Sequence, residues 1–270
     1  MIVSGIATVH APTIALSRPS GDGISAIYDS FELLREEFDT TKPDLVIVLT
    51  TEHIVNIQRT LVPSFCVGMG EYHEIVREFD LPADKTIPGA AEPARDLVEY
   101  AFANEFDVAH SAHIKLDHGT VIPLHYIVPD FGTPVMPVIF NTVFPPLPSL
   151  RRSYEFGQLI GRFIADRLPD KRVAIIATGG LVHAVGQVPR PLDYSFDERF
   201  IMALRENDLD GIMSMKQSEL DALGNGTNEI RCWLALAGAL GPSWKPVVVT
   251  QESGNGPHMG MYQMKWEKAA

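Results

Sequence analysis

The sequence has little of what would send it into a membrane, a disulfide scaffold or a complex with nucleic acid. Its uninterrupted apolar runs stop at about eight residues, well short of the roughly 20 that a spanning helix needs. The opening "MIVSGIATVH" has neither a basic leader nor a small-residue cleavage site, so no signal peptide is predicted. Cysteine is scarce. Cys66 and Cys232 stand in apolar surroundings without metal-site spacing, and are expected as buried free thiols of a reducing, cytoplasmic compartment. Positive charge is short as well: 34 acidic residues against 22 basic ones leave a net charge of −12. No basic stripe stands out, which argues against a nucleic-acid or membrane-surface partner. The cluster "RRSYEFGQLIGR" (151–162) reads as the solvated face of a helix. Repeats, low-complexity tracts and long polar linkers are also missing, so residues 1–270 are expected to form one domain.

What is present is an alternation. Strand-like runs at 2–9, 45–50, 135–140, 173–178 and 246–250 are separated by helical patterns at 24–38, 90–106, 149–168, 196–206 and 227–240. In the first helix Ile24, Ile27, Phe31, Leu34 and Phe38 recur at three- and four-residue steps, which places them on one face. Buried strands alternating with amphipathic helices predict an α/β fold, its central, largely parallel or mixed sheet flanked by helices. Residues 58–89, rich in Pro and Gly, read as an excursion from that framework.

Three strand runs end alike. "IVSGIATVHAP" leads into His10, "LVIVLTTEH" into His53, and "RVAIIATGGLVH" into His183 after a double glycine. Parallel strands in an open α/β sheet point their carboxyl ends to one edge, where ligands bind, so these three imidazoles can converge. A single histidine beside a strand end is more often structural; three at equivalent places suggest a site. His73, His110 and His113 fall in polar loops or edge strands and read as surface or packing residues. His125, seven residues after His118, would share its face if that segment is helical. His258, in a glycine-rich turn, stays unassigned. In "LDHGTVIPLHYIV", Asp117 can orient an imidazole or cap a following helix, but capping leaves His118 unexplained.

One carboxylate stands out. In "GNGTNEIRCWLALAGAL", Glu229 falls in the first turn of a helix too apolar for the surface. A favourable dipole position there contributes only about 0.3–1 kcal/mol. A carboxylate buried at that position must be paired, protonated or bound to a cation. Two neutral imidazoles and one carboxylate suit non-haem Fe(II), and they are also a catalytic zinc set.

Five pieces then match in order: "GIATVHAPTI", "VLTTEHIVNI", "LDHGTVIPL", "ATGGLVHAVG" and "GNGTNEIRCW". Together they resemble the class III extradiol ring-cleavage dioxygenases, relatives of the catalytic subunit of protocatechuate 4,5-dioxygenase. The resemblance implies an α/β domain holding Fe(II) on His10, His53 and Glu229. It implies His183 as acid–base residue and His118 as a second active-site histidine. The expected substrates are O2 and a small aromatic diol or aminophenol, such as protocatechuate, gallate or a catechol. A homo-oligomer is expected, with a small second subunit in some relatives. One position departs: family members often carry Asn-Asp-His where this chain has Thr51-Glu52-His53. A zinc hydrolase using the same cluster, or a binding protein that has lost the chemistry, are the rival readings. For a carboxylated substrate the candidate partners are Arg190, Arg231 and Tyr194, although Arg231 lies two residues past Glu229 and points away from it on a helix.

Overall fold

Residues 45–51 show why the strand runs lack polar alternation. Leu45, Ile47 and Leu49 join one hydrophobic cluster, whereas Val46 and Val48 join another. The strand at 173–178 divides likewise, with Val173, Ile175 and Ala177 on one side and Ala174 and Ile176 on the other. A sheet covered on both faces needs apolar residues at every position.

The computed structural model describes residues 1–14, 25–186, 191–252 and 261–269. Arg190 and His258 lie outside them. The strands are β1 (Ile2–Thr8), β2 (Leu45–Thr51), β3 (Phe65–Gly68), β4 (Tyr72–Ile75), β5 (Thr86–Pro88), β6 (Ala109–Ser111), β7 (Lys115–Leu116), β8 (Val135–Phe140), β9 (Val173–Thr178), β10 (Trp244–Glu252) and β11 (Met261–Lys268). The helices are α1 (Ser25–Thr41), α2 (Ala91–Ala103), α3 (His118–Ile127), α4 (Leu150–Arg167), α5 (Ser195–Glu206), α6 (Asp210–Met213), α7 (Gln217–Leu223) and α8 (Ile230–Leu240).

The main sheet has eight strands in the order β10-β11-β1-β9-β2-β8-β3-β6. Its centre, β1-β9-β2-β8, is parallel, whereas β11, β10 and β3 run antiparallel to neighbours, so the sheet is mixed. A small sheet, β5-β4-β7, stands apart. Thus the 58–89 segment is only partly an excursion, because its β3 enters the main sheet. The apolar sides of α1 and α3 cover one face; α2, α4, α5 and α8 cover the other. At the outer edge, β10 carries Pro246 and a register irregularity between Val248 and Thr250. An edge strand tolerates proline because one of its sides has no ladder to complete.

The packing of α4 against α8 fixes the site. Ser149 caps α4 by accepting the Arg152 N–H at 3.0 Å. Gly157 then lies so close to α8 that a Cβ there would stand 1.9 Å from the Ala235 carbonyl oxygen. Gly161 and Gly238 make similar approaches, with a Cβ 2.4 Å from Ala239 O and 2.3 Å from Tyr154 O respectively. Backbone meets backbone along this contact, and Glu229 sits at the head of α8. Both cysteines are free and buried, as expected. No helix among the described residues is long and apolar enough to cross a membrane.

Candidate metal centre

The strands that precede His10, His183 and His53 are β1, β9 and β2, and they are adjacent and parallel. Their carboxyl ends therefore deliver three imidazoles to one edge. Glu229 reaches the same place from a short 3-10 turn (Asn225–Glu229) that runs straight into α8. His10 Nε2 lies 3.5 Å from Glu229 Oε2, and His53 Nε2 lies 3.8 Å from Glu229 Oε1. Ligand atoms of His10, His53 and Glu229 all fall within 4.8 Å of one another. His183 Nε2 lies 3.8 Å from Glu229 Oε1. The His118 ring stacks on that of His53, with centroids 4.0 Å apart and planes at 28°.

Each group is held by a neighbour. The Gly180 N–H donates to Glu229 Oε2 at 2.7 Å, and Gly179, at φ +142°, leaves the room that the Glu229 side chain fills. Asp117 Oδ2 accepts the His53 main-chain N–H at 2.7 Å and faces Nδ1 of the same residue at 3.1 Å. Of the two readings of Asp117, its side chain takes the orienting one; only its carbonyl serves α3, accepting from Thr120 and Val121. Glu78 Oε1 treats His118 in the same manner, at 2.6 Å from the main-chain nitrogen and 2.9 Å from Nδ1. His183 Nδ1 lies 3.0 Å from Leu181 O, which can only accept, so Nε2 is left bare toward the centre. Gly226 lies against that ring: a Cβ there would stand 2.1 Å from His183 Nε2.

The electrostatics follow from burial and charge. Burial alone would raise the Glu229 carboxyl, but the facing His10 and His183 imidazoles and hydrogen bonds from His10 and His53 hold it well below its usual range. Burial opposes charge on His53 too, yet Asp117 and Glu229 push it up to about 10. His118 is lowered, by burial first and then by the neighbouring His53 and His10. Among the described residues no lysine or arginine pairs with Glu229; three imidazoles and an amide surround it. That donor set fits a divalent cation: two imidazole Nε2 atoms and one carboxylate, with the His53 tautomer fixed from behind by Asp117.

Residues 4–261 match the family described as the catalytic LigB subunit of aromatic ring-opening dioxygenase. The chain belongs to this family. It is an enzyme of the extradiol, ring-cleaving class, and the LigB family is metal-dependent. A relative from Mycobacterium sp. (strain MCS), a 2,3-dihydroxyphenylpropionate/2,3-dihydroxicinnamic acid 1,2-dioxygenase, is 30% identical over 86% of this chain and 88% of its own length. A relative of the same name from Photorhabdus laumondii is 25% identical over 89% of each. In structure, the LigB-family chain is similar to an uncharacterized protein JW3007 from Escherichia coli K12. The TM-score is 0.67 at 15% identity, over 97% of this chain and 99% of that one, a likeness of fold.

The remaining sequence candidates sort clearly. His73 is fully buried in β4, a packing residue, whereas His110 and His113 are exposed. His125 does lie on the same helix as His118. Arg231 is buried, and its guanidinium donates to Pro148 O, Asn228 O, Asn228 Oδ1 and Gln217 Oε1, which leaves it knitting the turn before α8 rather than awaiting a substrate. Tyr194 stands at the start of α5. Sequence reasoning missed Glu78 and Gly226. Glu78 is 40 residues from the histidine that it holds, and no spacing rule reports such a bond.

Proposed function

We propose that this chain, residues 1–270 acting as one catalytic domain, opens the ring of a catechol-type substrate with O2 at an Fe(II) held by His10, His53 and Glu229. The observation that carries the reading is the convergence of two Nε2 atoms on one buried carboxylate that no lysine or arginine pairs among the described residues. Iron, when bound there, supplies a Lewis acid that lowers the pKa of a substrate hydroxyl and a route for electrons between substrate and dioxygen. A set of two histidines and one carboxylate would leave open positions on such a metal for substrate and O2.

The chain's own residues then handle protons. His183, its Nδ1 committed to Leu181 O, presents Nε2 to accept the second hydroxyl proton. The protonated His183, or His118, returns a proton to the departing oxygen during ring expansion. Both groups adjoin the three ligands, His183 through Glu229 and His118 through its stacked His53 ring. The product is a ring-opened, semialdehyde-type acid. The relatives' names favour a 2,3-dihydroxyphenyl substrate bearing a short acid side chain; protocatechuate, gallate and aminophenols are the competitors. Cytoplasmic location and a homo-oligomer, with or without a small second subunit, complete the proposal.

The test is oxygen uptake by protein loaded anaerobically with Fe(II), against a panel of these compounds, with a yellow ring-opened product as second readout. Uptake with one diol, abolished together with iron binding in His10→Ala, His53→Ala or Glu229→Ala, is the expected result. Iron bound stoichiometrically but no uptake with any diol or aminophenol would refute the assigned reaction; no iron bound would refute the ligand set.

A further inference from the structure

Beside the centre, Glu52 and Asn56 form a hydrogen-bond circuit that the ligand set itself does not require. Glu52 is buried and follows β2 directly. Its Oε2 accepts the N–H groups of Val55 and Asn56 at 2.8 and 2.6 Å, and its Oε1 accepts that of Ile57 at 2.9 Å. Gathering three successive amides on one carboxylate curls residues 53–57 tightly. Ile54, a β-branched residue, is held at φ +66°. Such a backbone costs on the order of 1–3 kcal/mol and persists only where its surroundings over-determine it.

Asn56 extends the circuit. Its Nδ2 donates to Lys115 O at 2.8 Å and its Oδ1 accepts the Lys115 N–H at 2.9 Å, the two-bond pattern of a strand pair. Lys115 thus gives its own backbone groups to Asn56, while β7 is tied to β4 through Leu116, whose carbonyl accepts from Val76. Two residues beyond Lys115 comes Asp117, which holds His53 by its main chain and its ring. The chain leaving β2 and the chain entering α3 are therefore fastened twice, by Asn56 on Lys115 and by His53 on Asp117.

We propose that Glu52 and Asn56 are positioning residues that aim the His53 imidazole, and so set the metal affinity of the centre, by holding the 53–57 turn against the 115–117 segment. The inference rests on the reading of His53 as a ligand. It also gives the Glu52 departure a job: the carboxylate builds the turn, and Asp117 supplies the partner for the ring.

The test measures Fe(II) and Co(II) affinity anaerobically, by competition with a chelator, for wild type, Asn56→Ala, Asp117→Asn and the double variant. Asn56 is exposed and touches no ligand, so its truncation leaves the core intact. Asn56→Ala is expected to weaken metal binding by roughly tenfold, within the range for lost outer partners of a ligand. The double variant should bind no more weakly than Asp117→Asn, because both changes act through one imidazole. Glu52→Gln, whose amide must face an N–H, should follow Asn56→Ala, and the His53 Nδ1–H resonance of the Zn(II)-loaded protein should move in each. Affinity within about twofold of wild type for Asn56→Ala, or effects that add in the double variant, would overturn the proposal and leave the circuit a turn stabiliser. A wild type that binds neither metal would overturn the ligand assignment, and this inference with it.

Discussion

Gly157→Ala tests whether the contact between α4 and α8 sets the position of the Glu229 carboxylate. The new Cβ would lie 1.9 Å from Ala235 O, so α8 must recede by about 1.4 Å to reach an ordinary C···O separation of about 3.3 Å. Overpacking of this kind costs typically about 1–3 kcal/mol. Alanine's better helix propensity returns at most about 1 kcal/mol of that. At roughly 2–4 °C per kcal/mol for a large domain, melting should fall by several degrees. The same displacement reaches the head of α8, where Glu229 resides, and ligand distances tolerate only about 0.2 Å. Metal affinity should fall with stability. The assay is thermal unfolding in chelator beside anaerobic metal competition, with Gln158→Ala, an exposed position of α4, as control. Unchanged melting together with wild-type metal affinity would show that α8 can yield locally, and would refute the argument that this contact positions the carboxylate.

His183→Phe should keep metal and substrate binding while lowering turnover by about 10²–10⁴-fold, the usual contribution of a positioned acid–base group; full turnover in single-turnover kinetics would remove His183 from that role. Gly226→Ala should also depress turnover, because its Cβ enters the space of the His183 ring, and combining it with His183→Phe should cost little more. Asp197 is fully buried, accepts the Val182 N–H at 2.8 Å, and is pushed by burial from 3.8 up to about 7. The folded state therefore holds this proton more tightly than the unfolded one, so its stabilising contribution is complete below about pH 4 and lost as pH rises to about 7. Asp197→Asn should remove that slope, leaving the variant more stable than wild type above pH 7, by up to about 4 kcal/mol. Urea unfolding at pH 5, 6, 7 and 8 reads the difference; parallel curves would refute it.

The central strands were legible because both of their faces are covered: β1, β2, β8 and β9 announce themselves as apolar runs. β11 did not, since Gln263 and Lys265 interrupt its pattern even though Gln263 is fully buried in the sheet interior. Helix α3 was hidden by Gly119 and by Pro123 inside it. The convergence of His10, His53 and His183 could be anticipated from parallel topology alone, because strand ends share an edge. What holds those rings could not. Glu78 and Asn56 act across 40 and 59 residues of chain through bonds between loops, for which neither period nor motif exists. Arg231 illustrates the opposite hazard: a cation two residues from a ligand invites a substrate role, and the fold gives its Nε, Nη1 and Nη2 atoms to backbone and amide oxygens instead.

Pro246 bears on how copies of this chain can meet. A long outer strand is an open template on which a second molecule, or a misfolded neighbour, can build ladder by ladder. On β10 the template is spoiled twice: the proline has no hydrogen to donate, and the irregularity before Thr250 shifts the register of whatever follows. A newcomer strand would find no run of matching groups long enough to zip. Along this edge, contact between copies is left to side chains, which sequence change can tune position by position, and crowded synthesis in the cell carries a lower risk of sheets fusing there.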